Sequence, residues 1–143
     1  MLSKSDEEIL TDRLRNWGRW AADNQHLTSS TLLWRMMKLY GEKEEGVRQY
    51  VEEEKELPPP IDIFDAVIVN RAWQGLPENP LRYKTAKWVL VAHYCYPHMP
   101  LRVALRHLRI SQRTYDQLLT MAKYLIFNRI EQHAAKRLSA LDL

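Results

Sequence analysis

Apolar residues recur at helical rather than alternating spacing along most of the chain. Near the N-terminus Leu10, Leu14, Trp17 and Ala21 fall on one helical stripe, with Trp20 beside it. Ser5-x-x-Glu8 has the form of a capping box that opens this helix. Gly18, set between two tryptophans, weakens the helix by about 1 kcal/mol relative to alanine, so it points to close approach of a neighbouring helix. Trp17 shares the stripe with Leu10, Leu14 and Ala21 and reads as core. Trp20, at the stripe's edge, is the candidate contact for a protein partner, since large aromatics often anchor interfaces.

After Asp23-Asn24 a polar turn leads to Thr28, Ser29 and Ser30 as alternative caps. A second predicted helix follows, carrying Leu32, Leu33, Met36, Met37 and Tyr40 and stopping at Gly41. From Glu42 to Glu56 the chain is mostly charge, with Val47, Tyr50 and Val51 to anchor it, which predicts a solvated helix on a narrow seam. Leu57-Pro58-Pro59-Pro60 ends it, because consecutive prolines hold an extended conformation. Asp62 can cap the next helix, with Ile63, Phe64, Val67, Ile68 and Ala72 as its apolar face and Gly75 and Pro77 as its stop.

The stretch Tyr83 to Arg129 reads as three helices with two tight breaks. Trp88, Val91, Ala92 and Cys95 mark the first, which Pro97 terminates. Pro100 suits the first turn of a short second helix that places Leu101, Ala104, Leu105 and Leu108 inward. Ser111 is a good N-cap for the third, where Tyr115, Leu118, Leu119, Ala122, Leu125 and Ile126 form the stripe and Gln112, Arg113, Asp116 and Gln117 point elsewhere. This is the pattern of a helix-turn-helix, with an ordinary helical hairpin as the competing form. The usual motif has an alanine facing the turn, a glycine in it and a branched aliphatic on the recognition helix. Here those places hold Leu105, Arg109 and Tyr115, and a glycine there normally relieves a left-handed backbone. Residues 132–143 read as a fraying helical end.

No segment alternates with period two, so the predicted class is all-α: a multi-helix single domain with a C-terminal helix-turn-helix and a charged helical segment before a Pro-rich boundary. That boundary divides an N-terminal helical region with an acidic segment, 1–57, from a basic helical region, 58–143, the two packed as one domain. Composition sharpens the division. Residues 1–60 carry nine Lys/Arg against twelve Asp/Glu, a net −3, whereas residues 61–143 carry twelve against six, a net +6. Clustered positive charge draws a polyanion through phosphate contacts and counterion release, so double-stranded DNA is the natural partner of the basic half, against a merely solvated basic face.

On a helix-turn-helix reading, Gln112, Arg113, Thr114 and Gln117 are the base-reading candidates, because arginine pairs with guanine and glutamine with adenine. Ser111, Arg102, Arg106, Arg109, Lys84 and Lys87 are assigned to phosphate contacts. Asp116 is awkward there, since a carboxylate repels phosphate unless it accepts from cytosine.

Candidate chemistry is sparse. His26, His93, His98, His107 and His133 form no local pair at metal-ligand spacing, and the single Cys95 excludes a disulfide framework or a thiolate zinc site within one chain. No glycine-rich phosphate loop, HExxH or nucleophile elbow occurs. The expectation is a non-enzyme without metal or cofactor. No run reaches the length of a membrane span and no signal-peptide pattern opens the chain, so the expected setting is the cytoplasm.

Two separated stretches resemble one family. LRNWGRWAAD, Leu14 to Asp23, is similar to the tryptophan-rich opening of bacteriophage late-gene antitermination proteins of the Q type. VLVAHYCYP, with VALRHLRISQRTYDQLLTMAKYLI after it, resembles that family's helix-turn-helix, which itself looks like the promoter-reading region of bacterial sigma factors. The cysteine cluster that supports zinc in some members is missing here. The resemblance implies a transcription regulator in a bacterial host cell that binds DNA near a late promoter, loads onto RNA polymerase, with or without sigma factor, and promotes terminator readthrough. Two other readings compete: a conventional helix-turn-helix regulator, and a DNA-independent helical protein that binds a protein partner. Sequence leaves the oligomeric state open.

Overall fold

Ser3 opens the first helix, α1 (Lys4–Asn24), by accepting the Asp6 N–H on its hydroxyl at 3.1 Å. The cap is therefore two residues earlier than Ser5, and Ser5 itself sits exposed in the first turn. The computed structural model describes residues 2–24 and 59–141. The predicted helix over Leu32–Tyr40, the charged run Glu42–Glu56 and the start of the proline cluster lie outside the described residues.

Helix α2 (Ile63–Gln74) starts at Asp62, whose carboxylate accepts the Asp65 N–H at 3.1 Å, and ends at Gly75. Its buried face differs from the predicted one. Ala66, Val69, Asn70, Ala72 and Trp73 face inward, Val67 and Ile68 are half-buried, and Ile63 and Phe64 are 61% and 87% exposed. The first turn of α2 runs past the end of the core, and the small side chains Ala66 and Ala72 let the helix lie close to its neighbours. Helix α3 (Leu81–Leu90) runs directly into a π-helical turn (Val91–Cys95) that stops before Pro97. All of that turn is buried except His93.

Helix α4 (Leu101–Leu108) follows Pro100, and helix α5 (Gln112–Leu141) is the longest element. Ala104 is buried and Leu105 and Leu108 are half-buried, but Leu101 is 38% exposed because it opens the helix at the rim of the core. On α5, Tyr115, Leu118, Ala122 and Ile126 are buried and Leu119 and Leu125 half-buried, as the stripe predicts. The helix continues to Leu141, with side chains 131–138 exposed.

α1 packs against α2 and the π turn, α3 against α5, and α2 against α5. Along the α1–α2 seam Arg13 meets Asp65 at 2.8 Å, Asn16 exchanges two 2.8 Å hydrogen bonds with the Asp62 backbone, and Arg19 donates to the Pro59 carbonyl at 2.6 Å. Rising numbers on one helix meet falling numbers on the other, so the pair is antiparallel. Beneath it Trp17 donates to the Asn70 side chain at 3.1 Å and Trp73 to the Lys87 carbonyl at 3.0 Å, which satisfies both buried indoles. The three rings Trp17, Trp73 and Trp88 follow one another at 6.0 Å centroid spacing. Residues from both sides of the proline boundary share one core, and no strand occurs among the described residues. The described residues form an all-α single domain, and none of their helices is long and apolar enough to cross a membrane.

Candidate nucleic-acid interface

The turn between α4 and α5 is built on a backbone conformation that the sequence marks only by the residue it lacks. Arg109 takes φ 58°, ψ 45°, the left-handed region, in the place where a glycine is usual. The Ile110 N–H then reaches back to the Leu105 carbonyl at 3.2 Å, closing a helix terminus in which Leu105 and Ile110 both pack on the core. Ser111 restarts the chain: its hydroxyl accepts the Thr114 N–H at 3.2 Å and donates to Thr114 Oγ1 at 3.0 Å. Two helices thus meet across the three residues 109–111 without a glycine.

The side chains predicted to act together are partly brought together. Gln112, Arg113 and Gln117 are exposed on the opening turns of α5, and Arg102 and Arg106, one helical turn apart on α4, are exposed with Arg109 beside them. Among the described residues none of Arg102, Arg106, Arg109 and Arg113 forms an ion pair. Lys84 is also exposed. Asp116 is exposed on the same opening stretch, where it dilutes the positive charge on one flank.

Four assignments change. Lys87 is 5% exposed: its ammonium pairs with Glu78 at 3.2 Å, donates to the Gln74 carbonyl at 3.4 Å and lies 4.8 Å over the Trp73 ring. It is a structural cation of the core edge rather than a phosphate contact. Thr114 is half-buried and turned toward the cap, so it does not join the outward row of Gln112, Arg113 and Gln117, and the Ser111 hydroxyl is committed to that cap. Trp20 is 7% exposed and belongs to the core with Trp17, so it is not a surface anchor.

The outward face of α5 also extends further than the motif suggests. Thr120 and Tyr124 continue the Arg113–Gln117 row at spacings of three and four, both exposed. That periodicity is present in the sequence but lies beyond the first turns on which a recognition helix is usually read.

Tyr115 fixes the helix from beneath. It is 4% exposed, its hydroxyl lies 3.2 Å from His93 Nδ1, and burial, aided by Asp116, pushes its pKa up to about 12. His93 is lowered from its ordinary 6.5, first by desolvation and then by Lys123 and Arg15, with Asp116 opposing. The unfolded chain therefore takes up this proton more readily than the fold does, and stability contributed by neutral His93 declines as pH falls below 6.5. His93→Gln is expected to flatten the dependence of melting temperature on pH in that window. An unchanged slope between the two proteins, compared by thermal melts from neutral to mildly acidic pH, would contradict this assignment.

Cys95 is fully buried, and desolvation pushes its thiol well above the usual range. Among the described residues no three of His, Cys, Asp and Glu converge in a way that can hold a metal ion. No protein-family model, curated protein or solved structure matches the chain.

Proposed function

We propose that the protein is a DNA-binding transcription antitermination factor, with α4, the 109–111 turn and α5 forming a helix-turn-helix. The observation that carries DNA binding is that Arg102, Arg106, Arg109 and Arg113, none of them in an ion pair among the described residues, are exposed on α4, the turn and the opening of α5, where Gln112 and Gln117 are exposed as well. A helix entering the major groove reads base edges from its opening turns while flanking cations meet phosphates. Readthrough at terminators, through contact with a bacterial RNA polymerase, is supported by the resemblance of Leu14–Asp23 and the 89–126 stretch to phage Q-type proteins. A conventional regulator shares the DNA step, and only readthrough separates the two.

Removing both Arg102 and Arg106 side chains by alanine substitution is expected to lower the slope of log affinity against log salt by about 2, since each phosphate contact contributes about 0.9. Arg113→Ala is expected to cost about 1–3 kcal/mol on a preferred site and to relax preference at one base pair. Fluorescence anisotropy on duplexes over a salt series measures both. An unchanged slope would reject the phosphate assignment, and equal losses on preferred and random duplexes would make Arg113 a phosphate contact.

A further inference from the structure

At the opposite end of α5 from the candidate reading face lies a groove of about 370 Å³ between α2 and the protruding last turns of α5. Gln112 and Leu138 are separated by about 39 Å of helix at 1.5 Å per residue, so an occupant of this groove need not compete with DNA. Its apolar lining comes from two helical rows, Ile68 and Ala72 on α2 and Ile130, Ala134 and Leu138 on α5; Ala72 and Ile130 are buried at its floor, Ile68 is half-buried, and Ala134 and Leu138 are exposed. Leu138 is 64% exposed although it carries the largest apolar side chain of the exposed 131–138 stretch. The rim is basic: Arg71 and Arg137 are exposed there against the carboxylate of Glu131. Arg13, which also lines the groove, is neutralised by Asp65, but neither Arg71 nor Arg137 has an ion-pair partner among the described residues.

We infer that this groove docks an acidic amphipathic helix of a protein partner. The apolar rows favour apolar side chains over a phosphate backbone, and the i, i+4 spacing on both walls matches the ridges of a third helix laid between them. The small, exposed Ala134 allows close approach, while Arg71 and Arg137 select carboxylates on the flanks of the incoming helix. The inference goes beyond DNA recognition and stands on separate residues.

The test uses the full chain and a labelled synthetic four-turn helix with leucines on one face and glutamates on the other, beside a counterpart bearing lysines instead. The glutamate helix is expected to bind roughly tenfold more tightly at low salt. Arg71→Glu with Arg137→Glu is expected to reverse that preference, and Leu138→Glu to weaken both peptides. All three positions are exposed, and circular dichroism checks that each variant is folded. Equal binding of the two helices, or a preference unchanged by the double reversal, overturns the inference. So does concentration-dependent self-association abolished by Leu138→Glu, which would make a second copy the occupant, or displacement of the peptide by duplex DNA, which would make the groove a phosphate site. Peptide binding with no duplex binding would sink the DNA reading and leave the groove standing.

Discussion

Trp17→Ala is expected to remove a large part of the protein's stability. The side chain is fully buried, lies 6.0 Å from the Trp73 ring and donates its indole N–H to Asn70 at 3.1 Å. Truncating a buried tryptophan costs about 3–5 kcal/mol through lost transfer energy and the cavity left behind. Asn70 then loses its partner in a site only 9% exposed, at a further about 1–3 kcal/mol where no water replaces the indole. Domains of this kind are stable by about 5–15 kcal/mol, so the variant is expected to be partly unfolded at moderate temperature. Trp17→Phe helps to separate the two effects, because it loses the donor while keeping much of the volume. Urea titration followed by circular dichroism measures both, and a Trp17→Ala midpoint equal to wild type would remove α1 from the core.

Gly18→Ala is expected to destabilise the fold even though helix propensity alone favours alanine by about 1 kcal/mol. A Cβ at Gly18 would overlap the carbonyl oxygen and carbon of Tyr94 and lie 3.1 Å from the Cys95 nitrogen. All three are backbone atoms of the π turn, so no rotamer change relieves the clash. α1 or the turn must move bodily, and overpacking of this kind costs about 1–3 kcal/mol or more, which outweighs the propensity gain. A lowered urea midpoint with an unchanged slope is the expected result. A midpoint raised by the propensity gain would show that the two backbones do not pack this closely.

Gly18 also shows what a sequence can reveal. A glycine flanked by Trp17 and Trp20 conflicts with the helix around it, and that local conflict pointed to backbone contact without naming the partner. The α5 stripe was legible for a different reason: its apolar and polar residues separate cleanly at a period of 3.6. α2 was misphased because it is apolar nearly all round, so its large side chains Ile63 and Phe64 outweighed Ala66 and Asn70. The inward face is chosen instead by fit to α1 and by the hydrogen bond that Asn70 accepts from Trp17.

At the candidate interface the legible part was local and the illegible part tertiary. The Ser111 cap and the exposed opening of α5 follow from neighbouring residues. Lys87 counts as one more basic residue in sequence, and only the folded chain places it under Glu78 and over Trp73. Trp20 lies at the edge of a stripe, but the bulk of an indole is covered wherever α1 is flanked on both sides by packed elements. The left-handed turn at Arg109 was hardest to read, since an arginine gives no sign of φ 58°. Its usual glycine was the missing mark, and the turn forms nonetheless because the Leu105–Ile110 terminus holds it.

The most direct test of antitermination is purified transcription by bacterial RNA polymerase on a template with a phage late promoter and a downstream terminator. Addition of the protein is expected to increase full-length product only when the promoter-proximal DNA is present, and Arg113→Ala, folded as judged by melting, is expected to lose that increase. Readthrough that does not change on adding the protein, or that rises equally on templates lacking the promoter-proximal DNA, would contradict it.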